Sequence, residues 1–344
     1  MSVQISDCTI RDGGYLTGKK FTEDFIHGVI DGLVRAGIDY IETGFLQIQV
    51  NGESIVYHNS KDVRKYIPVN KGNSEFVGFC DNSRYSNDLL DKCDGKSFES
   101  LRISFAKHEW KDAIRFCSKA KEKGYHVFVQ PMDAPGYSEE ERKELVYAVN
   151  EIHPEAFAIV DTFGAMHLDN LYKIFRQVDS LLDKDIKVGL HSHNNLHLSC
   201  ALAEQLIIMA EETDRKVAVD GSLLGMGRGA GNACTEEIVD FLNSRYKKNY
   251  DLGVILDTIE KYIVPLKQKV SWGYDIPMFI CGSMSSHVDN IYYLQKNCSC
   301  SYKDMYNILQ SMDIEKRKRY GSNYSKNDFT ILQSMYEAYT NKGK

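Results

Sequence analysis

The sequence predicts an α/β protein: a (β/α)₈ barrel with a C-terminal helical appendage. Eight short runs rich in β-branched and aromatic residues alternate with segments of helical spacing, which is typical of consecutive parallel strands. Ionisable residues cluster just after several of these runs, where such barrels place their active sites. An open, doubly wound parallel sheet is the alternative that this alternation allows. The count of eight strands favours the closed barrel.

The strands are predicted at residues 3–7, 38–44, 75–79, 100–105, 125–131, 156–161, 186–191 and 216–221. Helices are predicted between them, among others at residues 21–36, 109–124 and 138–152. Thr22 and Ser138 are suitable N-caps for two of these helices, and Gly124 is suitable for ending the third. We therefore assign residues 1–250 to one barrel domain.

After about residue 250 the alternation stops. Residues 251–344 contain apolar positions at helical spacing, with polar turns between them. We predict helices at 252–262, 285–296, 302–312 and 326–339, which together form a helical C-terminal region. The basic run 316–319 is expected to be a solvated helix face rather than a nucleic-acid surface, because no other basic stretch supports such a surface.

Composition restricts the partners and the compartment. The 344 residues carry a formal net charge of −6 with both signs interspersed, which gives no electrostatic case for binding nucleic acid or an anionic membrane. No apolar stretch reaches the ~20 residues of a membrane helix, and the N-terminus lacks the build of a signal peptide. We therefore expect a cytoplasmic protein with its nine cysteines reduced. Cys298 and Cys300 lack a second pair at zinc-finger spacing, so no structural zinc is expected.

His191 and His193 follow an apolar run and predict a metal site. In a strand, residues two positions apart point to the same face, so both imidazoles can converge on one point. Together with the carboxylate of Asp12 they form half of an octahedral shell and leave positions open for substrate oxygens. Hydrogen-bonded core histidines are the plainer interpretation of this motif. A non-haem iron oxygenase site uses the same ligand types, but it usually lies on antiparallel β folds.

Two glycine-containing loops carry the other candidate residues. Arg11 precedes Asp12 in a loop after the first strand, where a guanidinium can stabilise enolate charge beside a metal. Residues 220–233 form a glycine-rich loop after the eighth strand, a common anion site in barrels. This loop nominally fits a dinucleotide fingerprint, but no strand follows it. Substrate-binding residues are expected at these strand ends and in this loop: Glu42, Asp161, Thr162, Ser222 and Gly227.

Together these motifs resemble the metal-dependent aldolase and synthase barrels that carry a pyruvate-carboxyltransferase-type domain. This superfamily includes 4-hydroxy-2-oxovalerate aldolase, 2-isopropylmalate synthase, homocitrate synthase and hydroxymethylglutaryl-CoA lyase. The resemblance assigns divalent-metal binding to Asp12, His191 and His193, with Asn232 as a ligand in some members. It assigns enolate stabilisation to Arg11. Mn²⁺ is the expected metal, with Mg²⁺, Co²⁺ or Zn²⁺ as alternatives.

Within the superfamily the chain is most similar to 4-hydroxy-2-oxovalerate aldolase, but it departs from that pattern at two positions. The aldolase has a catalytic His where this chain has Tyr15, and a catalytic Tyr where it has Met284. His287 lies close to the second position. We therefore expect that the two residue types have exchanged places, with His287 as the general base and Tyr15 as its partner in proton transfer.

The expected function is that of a carbon–carbon lyase that acts through a metal-bound enolate of pyruvate or a related 2-oxo acid. The expected partners are a small 2-oxo acid and an aldehyde, with a homo-oligomer and an aldehyde dehydrogenase partner implied by the resemblance. One alternative is a Claisen-type synthase that uses acetyl-CoA. Another is a non-catalytic metal-binding barrel, which the changed base positions favour.

Overall fold

The computed structural model describes residues 2–318, 332 and 334–338 and confirms the barrel. Eight parallel strands form a ring that closes where the first pairs with both the second and the last. A ninth, two-residue strand, β3, lies outside the ring and pairs with β2 only. The strands are β1 (Val3–Asp7), β2 (Tyr40–Leu46), β3 (Val56–Tyr57), β4 (Glu75–Asp81), β5 (Ser100–Phe105), β6 (His126–Pro131), β7 (Ala156–Asp161), β8 (Lys187–Ser192) and β9 (Val217–Gly221).

The barrel strands are buried on both faces, which explains why they are continuous apolar runs rather than alternating ones. All six residues of β7 and all five of β9 are buried. β5 is also buried throughout, although it includes the charged residue Arg102. Since an unpaired charge in such a place costs several kcal/mol, its partners matter for the site described below.

The three outer-layer helices that were predicted with bounds, at 21–36, 109–124 and 138–152, begin and end within two residues of those bounds. The Thr22 hydroxyl accepts a hydrogen bond from Phe25 N at 3.2 Å, and Ser138 forms a capping box with Glu141. The helices up to residue 246 are α1 (Thr9–Gly13), α2 (Glu23–Ala36), α3 (Trp110–Glu122), α4 (Glu139–Ile152), α5 (Leu168–Leu181), α6 (Ser199–Thr213) and α7 (Thr235–Tyr246).

Two crossovers differ from the predicted strand–helix alternation. Between β2 and β4 the chain forms β3 and a 3₁₀ turn at Ser60–Tyr66, and between β4 and β5 only a 3₁₀ turn at Asn87–Leu89. The second of these segments is rich in Asp, Asn, Ser and Gly, which favour turns over helices. The loops after β2 and β4 therefore extend over one side of the barrel mouth.

Residues beyond 250 form further helices that pack on the barrel. They are α8 (Leu252–Thr258), which continues through a π-helical turn (Ile259–Ile263) into α9 (Val264–Lys267), then α10 (Ile276–Ser283), α11 (Val288–Asn297), α12 (Tyr302–Ser311) and α13 (Ile314–Arg317). A Cβ on Gly282 of α10 would lie 2.9 Å from Gly164 O, so this helix touches the loop after β7. The domain boundary near residue 250 stays a prediction.

The remaining C-terminal predictions have mixed outcomes. The predicted helix at 326–339 falls mostly on residues that the structure does not describe. Lys318, expected on a solvated face, instead forms an ion pair with Asp133 at 2.7 Å beside the barrel mouth. None of the helices in the described ranges is long and apolar enough to cross a bilayer.

Candidate metal centre and active site

The three predicted metal ligands converge at the carboxyl end of the barrel. One ligand atom from each of Asp12, His191 and His193 lies within 4.8 Å of the other two. Asp12 is placed by the short helix α1 directly after β1, whereas His191 belongs to β8 and His193 follows it. The two imidazole rings meet edge to face with centroids 5.1 Å apart. Strand alternation thus brings both histidines to one side, as the sequence predicts.

Hydrogen bonds fix one nitrogen of each imidazole and leave the other available. His191 Nδ1 lies 2.8 Å from Asp220 Oδ2, and His193 Nδ1 lies 3.1 Å from the Asp161 carbonyl oxygen. His193 Nε2 lies 3.7 Å from Asp12 Oδ2. Metal-binding histidines usually donate their second nitrogen in this way, which sets the tautomer and the ring orientation.

Asn232 provides an independent test of whether this set suits a cation. Its Nδ2 donates to Asp12 Oδ2 at 2.7 Å and to Met226 O at 3.1 Å. The opposite atom, Oδ1, is buried and has no hydrogen-bond partner among the described residues. A Cβ on Gly227 would lie 2.2 Å from Asn232 Nδ2 and 2.5 Å from Asp12 Oδ2, so only glycine leaves this arrangement intact. An orphaned carbonyl oxygen beside a carboxylate and two imidazoles fits a divalent cation.

Beneath these ligands, buried side chains of alternating charge connect Asp12 to His191; we call them the charge chain. Arg11 contacts Asp12 and Glu42, each at 2.8 Å. Arg102 lies 3.4 Å from the far oxygen of Glu42 and donates to both oxygens of Asp220, one of them at 2.9 Å. The chain ends where Asp220 meets His191. Its order is Asp12, Arg11, Glu42, Arg102, Asp220 and His191, and every member is at most 5% exposed.

The charge chain sets the protonation states that a cation requires. Burial alone would raise the pKa of Asp12, but Arg11 and the two imidazoles lower it to about 2. Burial lowers the pKa of His193 to about 4, although Asp12 opposes this. Three carboxylates and two guanidiniums leave the chain one negative charge in excess when the imidazoles are neutral. A bound dication would reverse that excess and leave a positive site for an anionic substrate.

A cavity of about 1110 Å³ opens above this centre. Seven of the predicted site residues line it, and these are Arg11, Asp12, Tyr15, Thr162, His191, His193 and His287. Asn232 lies just beneath, 1% exposed. The structure therefore brings the first-strand loop, the histidine motif and the C-terminal region to one cavity.

The other predicted substrate-binding residues are not part of the cavity lining. Glu42 is fully buried under Arg11 and Arg102. The Asp161 carboxylate accepts hydrogen bonds from Ala165 N and Met166 N, which shapes the loop after β7. Gly227 packs against Asp12 and Asn232, as described above. These placements indicate support of the site rather than direct contact with a substrate.

Thr162 lines the cavity, whereas Ser222 does not. The Thr162 hydroxyl, at the cavity wall, accepts a hydrogen bond from Asp133 N at 2.9 Å. Ser222 is fully buried, and its hydroxyl has no hydrogen-bond partner within the described part of the chain. Thr162 is thus in a position to meet a ligand, and Ser222 is not.

Tyr15 and His287 both line the cavity, and Arg228 is a neighbour of each. Tyr15 packs edge-on against Phe45, and the Arg228 guanidinium lies 5.3 Å from its ring centroid. His287 caps α11, its Nδ1 accepting the Asp289 N–H at 3.2 Å. Burial and the charge of Arg228 lower the pKa of His287 to about 3. Its imidazole is therefore neutral at physiological pH, and the accepted hydrogen bond places the proton on Nε2.

Several residues of the site were not predicted from the sequence. Arg102 could have been noticed as a lone charge in the apolar run of β5, a place where a charge needs buried partners. Lys19, Arg84 and Arg228 also line the cavity. Arg228 belongs to the glycine-rich loop 220–233, which was expected to bind an anion, whereas Lys19 and Arg84 lie in polar loops where no local pattern distinguishes them.

Comparison with known proteins agrees with this architecture. Residues 99–261 match the profile of the HMGL-like family. A 4-hydroxy-2-oxovalerate aldolase of Bacillus thuringiensis is 27% identical over 274 residues, which cover 77% of this chain and 76% of the relative. An oxaloacetate decarboxylase of Mycobacterium tuberculosis is 26% identical over 258 residues, 74% of each chain.

Solved structures show the same fold. The N-terminal domain of a protein from Bacteroides vulgatus superposes with a TM-score of 0.73 at 22% identity, over 90% of this chain and all of that one. HMG-CoA lyase of Bacillus subtilis gives a TM-score of 0.60 at 17% identity, over 79% of this chain and 94% of the lyase.

The fold and the ligand set define a barrel with a candidate metal centre at its carboxyl end. The HMGL-like match over residues 99–261 confirms the resemblance seen in the sequence, and about three quarters of the chain is similar to proteins named as an aldolase and a decarboxylase.

Proposed function

We propose that this protein is a divalent-metal-dependent lyase that makes or breaks a carbon–carbon bond next to a 2-oxo acid such as pyruvate. The enzyme class, carbon–carbon lyase, follows from the named relatives; the substrate is our inference. One observation carries it: Asp12, His191, His193 and the Arg11 guanidinium border one cavity.

Asp12, His191, His193 and the Asn232 carbonyl oxygen would hold the cation. When bound, a divalent metal supplies Lewis acidity to the keto and carboxylate oxygens of the substrate. The oxygen, imidazole and amide ligands suit Mn²⁺ or Mg²⁺, and they also admit Co²⁺ or Zn²⁺. Mn²⁺ remains our first choice.

Arg11 is oriented to stabilise enolate charge. Two carboxylates hold its guanidinium, through Nη1 and Nε, and its carbon lies 4.6 Å from the Phe79 ring centroid. A cation fixed in this way is positioned before charge develops on the substrate, so no reorganisation is required during the reaction.

Proton transfer is assigned to Tyr15 and His287, with roles adjusted to their surroundings. A neutral imidazole that carries its proton on Nε2 is a hydrogen-bond donor, and a pKa of about 3 makes His287 a weak base. We therefore propose that His287 donates to a substrate oxygen, and that Tyr15 contacts the group that gains or loses the proton.

Decarboxylation of a 2-oxo acid is a second candidate reaction. Loss of CO₂ from the carbon next to the keto group forms the enolate without removing a proton. The weak basicity of His287 and the tyrosine at position 15 favour a reaction of this kind. One relative is named oxaloacetate decarboxylase. An acetyl-CoA-dependent synthase and a non-catalytic barrel remain alternatives to both reactions.

The test combines metal analysis with isotope exchange. Purified protein with Mn²⁺ is incubated in D₂O with pyruvate, 2-oxobutyrate and oxaloacetate, while NMR follows deuterium at C3 and loss of CO₂. We expect metal-dependent exchange or decarboxylation for at least one acid. Its absence for all three acids, with metal bound, would contradict the lyase proposal.

A variant tests whether the proposed ligands are responsible. His193→Ala removes one ligand and should lose most of the bound metal together with the exchange activity. His126→Ala provides the control, since the exposed His126 lies at the start of β6, does not line the cavity and belongs to no group of candidate metal ligands among the described residues. Unchanged metal content in His193→Ala, measured by elemental analysis, would disprove the ligand assignment. A cytoplasmic location, an oligomeric state and an aldehyde dehydrogenase partner remain predictions.

A further inference from the structure

Six lysine and arginine side chains line the cavity, and four of them have close carboxylate partners. Lys107 pairs with Glu141, Lys318 with Asp133 and Arg228 with Asp289, while Arg11 contacts Asp12 and Glu42. The remaining two are Lys19, in the loop after β1, and Arg84, in the loop after β4. We call these two residues the cationic pair.

The Lys19 side chain forms no ion pair within the described residues, although its backbone is firmly held. Its ammonium lies 4.4 Å from the centroid of the Phe45 ring and makes no hydrogen bond or ion pair with any residue in the described ranges. Its N–H donates to Gly14 O at 2.6 Å, and its carbonyl accepts from Ser54 N at 3.1 Å. The backbone adopts φ +62°, a region that non-glycine residues seldom occupy. The loop thus holds this residue in place while its charge faces the cavity.

The Arg84 guanidinium also forms only a weak ion pair within the described residues. Its Nε lies 3.5 Å from Asp81 Oδ2, a distance too long for a good hydrogen bond. The other oxygen of Asp81 accepts from Ser83 N and from the Ser83 hydroxyl. The loop is anchored by Arg84 N donating to Asp81 O at 2.9 Å and by Arg84 O accepting from Ile48 N at 3.2 Å. Within the described part of the chain the Arg84 guanidinium makes only this long contact with Asp81, so its other N–H groups can donate to a ligand.

The two cations are close enough to influence each other. Burial lowers the pKa of Lys19 and the charge of Arg84 lowers it further, although the carboxylates of Glu53 and Asp81 oppose the shift. Two like charges in one wall disfavour each other, and an anion between them would remove that cost. Multidentate N–H donors and an ammonium are the groups that proteins use to bind carboxylates and phosphates.

Adjacent aromatic rings relate the cationic pair to the metal centre. Arg11 lies over Phe79 and Lys19 over Phe45, and the two ring centroids are 5.7 Å apart. Tyr15 packs against Phe45 and so lies beside both. Arg11 and Lys19 therefore contact neighbouring aromatic rings on the same wall of the cavity. A cavity of about 1110 Å³ is also much larger than a pyruvate-sized molecule needs.

We infer that Lys19 and Arg84 bind an anionic group at the end of the substrate remote from the 2-oxo acid. The aldehyde half formed on cleavage would then carry a carboxylate or a phosphate. This inference rests on the proposed function, which places the 2-oxo acid end at the metal ligands.

Binding measurements test this inference without requiring turnover. Calorimetry with the Mn²⁺-loaded protein compares 2-oxoglutarate and 2-oxoadipate with their uncharged-end counterparts 2-oxovalerate and 2-oxohexanoate. A third arm uses 2-oxo-4-phosphonobutanoate to distinguish a phosphate-type end from a carboxylate. We expect the better charged-end acid to bind at least roughly tenfold more tightly than its counterpart, as expected for charge-assisted hydrogen bonds.

Variants then assign the preference to the two residues. Lys19→Met and Arg84→Met should each reduce the charged-to-uncharged affinity ratio roughly tenfold, whereas Lys19→Arg should retain it. Lys20→Met is the matched control, because Lys20 is the exposed neighbour of Lys19 and does not line the cavity. It should leave the ratio unchanged.

The outcomes separate this inference from the proposed function. An affinity ratio near one, or a ratio unaffected by both methionine variants, would overturn the anion site even if C3 exchange is observed. A ratio that depends on Lys19 and Arg84 without any exchange or decarboxylation would support the anion site and count against the lyase.

Discussion

The charge chain forms the floor of the cavity, and Lys19 and Arg84 form part of its rim. The charges of these two regions differ in how completely they are paired. At the floor, each member of the charge chain contacts the next, and all are nearly fully buried. At the rim, Lys19 forms no ion pair within the described residues, and Arg84 makes a single 3.5 Å contact with Asp81, whose other oxygen is occupied by Ser83. At the floor, the charges are paired with one another before any substrate binds. At the rim, we expect the two cations to become paired only when an anionic ligand binds.

This difference corresponds to two tasks. A reacting centre gains from charges that are already oriented, because little reorganisation is then needed in the transition state. Recognition of the remote end of a substrate can use loops, which vary without disturbing the strands beneath them. We therefore expect changes at the floor to affect the chemical step or metal binding, and changes at the rim to affect substrate choice.

The largest expected effect of the substitutions below is at Arg11. Arg11→Lys keeps the positive charge but loses the two-sided contact with Asp12 and Glu42. The rate of C3 exchange should fall at least ~100-fold, about 2.7 kcal/mol, with metal content retained. NMR measures the rate of C3 exchange, and elemental analysis measures the metal content. A near-normal rate in a folded variant would show that the floor is not pre-organised for the reaction.

Arg102 tests whether the charge chain acts on the metal site from a distance. It joins Glu42 to Asp220, which in turn orients His191. Arg102→Lys keeps a charge but cannot donate to both oxygens of Asp220, so Mn²⁺ affinity should fall tenfold to a hundredfold, as for other supports of metal ligands. Metal titration provides the measurement.

The control for Arg102 is Arg215, another fully buried arginine. It donates to Asp179 at 2.6 Å and to backbone carbonyls, and it does not line the cavity. Arg215→Lys should reduce the free energy of unfolding without changing Mn²⁺ affinity. Equal losses of affinity in both variants would mean that Arg102 acts only through general stability.

A smaller effect is expected at His287. Asparagine is a good N-cap, so His287→Asn should preserve the start of α11 while removing the imidazole donor. Loss of one hydrogen bond to the reacting substrate should lower the exchange rate about tenfold, ~1.4 kcal/mol. Because the pKa of His287 is lowered to about 3, the wild-type rate should show no loss attributable to this group between pH 5 and 8. Full activity in His287→Asn would restrict the residue to capping.

The sequence predicted the floor better than the rim. Strand positions and the His191 and His193 pair follow from apolar runs and a two-residue period, which depend on local chemistry alone. Which way Glu42 points does not follow in this way, because the pairing of β2 with β4 shifts between Glu42 and Gly44. Such an irregularity changes which face of the strand a residue occupies, and the lone glycine at position 44 is compatible with it but does not show which way Glu42 points. Glu42 therefore lies under Arg11 rather than at the cavity wall.

The rim depends on contacts between distant loops. Lys19 and Arg84 are 65 positions apart in the sequence, and only closure of the barrel brings the loops after β1 and β4 together. The low pKa of His287 likewise arises from burial and from Arg228, which belongs to another loop. Local patterns cannot contain this information, so the sequence alone could not show that the surroundings of His287 lower its pKa. The role of His287 in proton transfer stays a prediction.

Asp7 provides a test of the floor through stability rather than through activity. It lies at the end of β1 and accepts hydrogen bonds from Thr9 N and the Thr235 hydroxyl. Burial raises its pKa from 3.8 to about 6, although these hydrogen bonds oppose the shift. A carboxyl group whose pKa is higher in the folded state stabilises that state at low pH, and the stabilisation disappears as pH rises through about 6. Between pH 5 and 8 this group should therefore cost on the order of 1–2 kcal/mol. In Asp7→Asn the decline of unfolding free energy over that range should be smaller by this amount, measured by urea unfolding with a chelator present.

The exposed Asp31 supplies the control, since Asp31→Asn removes a carboxylate from the surface. Parallel pH profiles for wild type and Asp7→Asn would show that Asp7 is ionised in the fold without penalty, and that the floor beyond the charge chain is less apolar than its burial indicates.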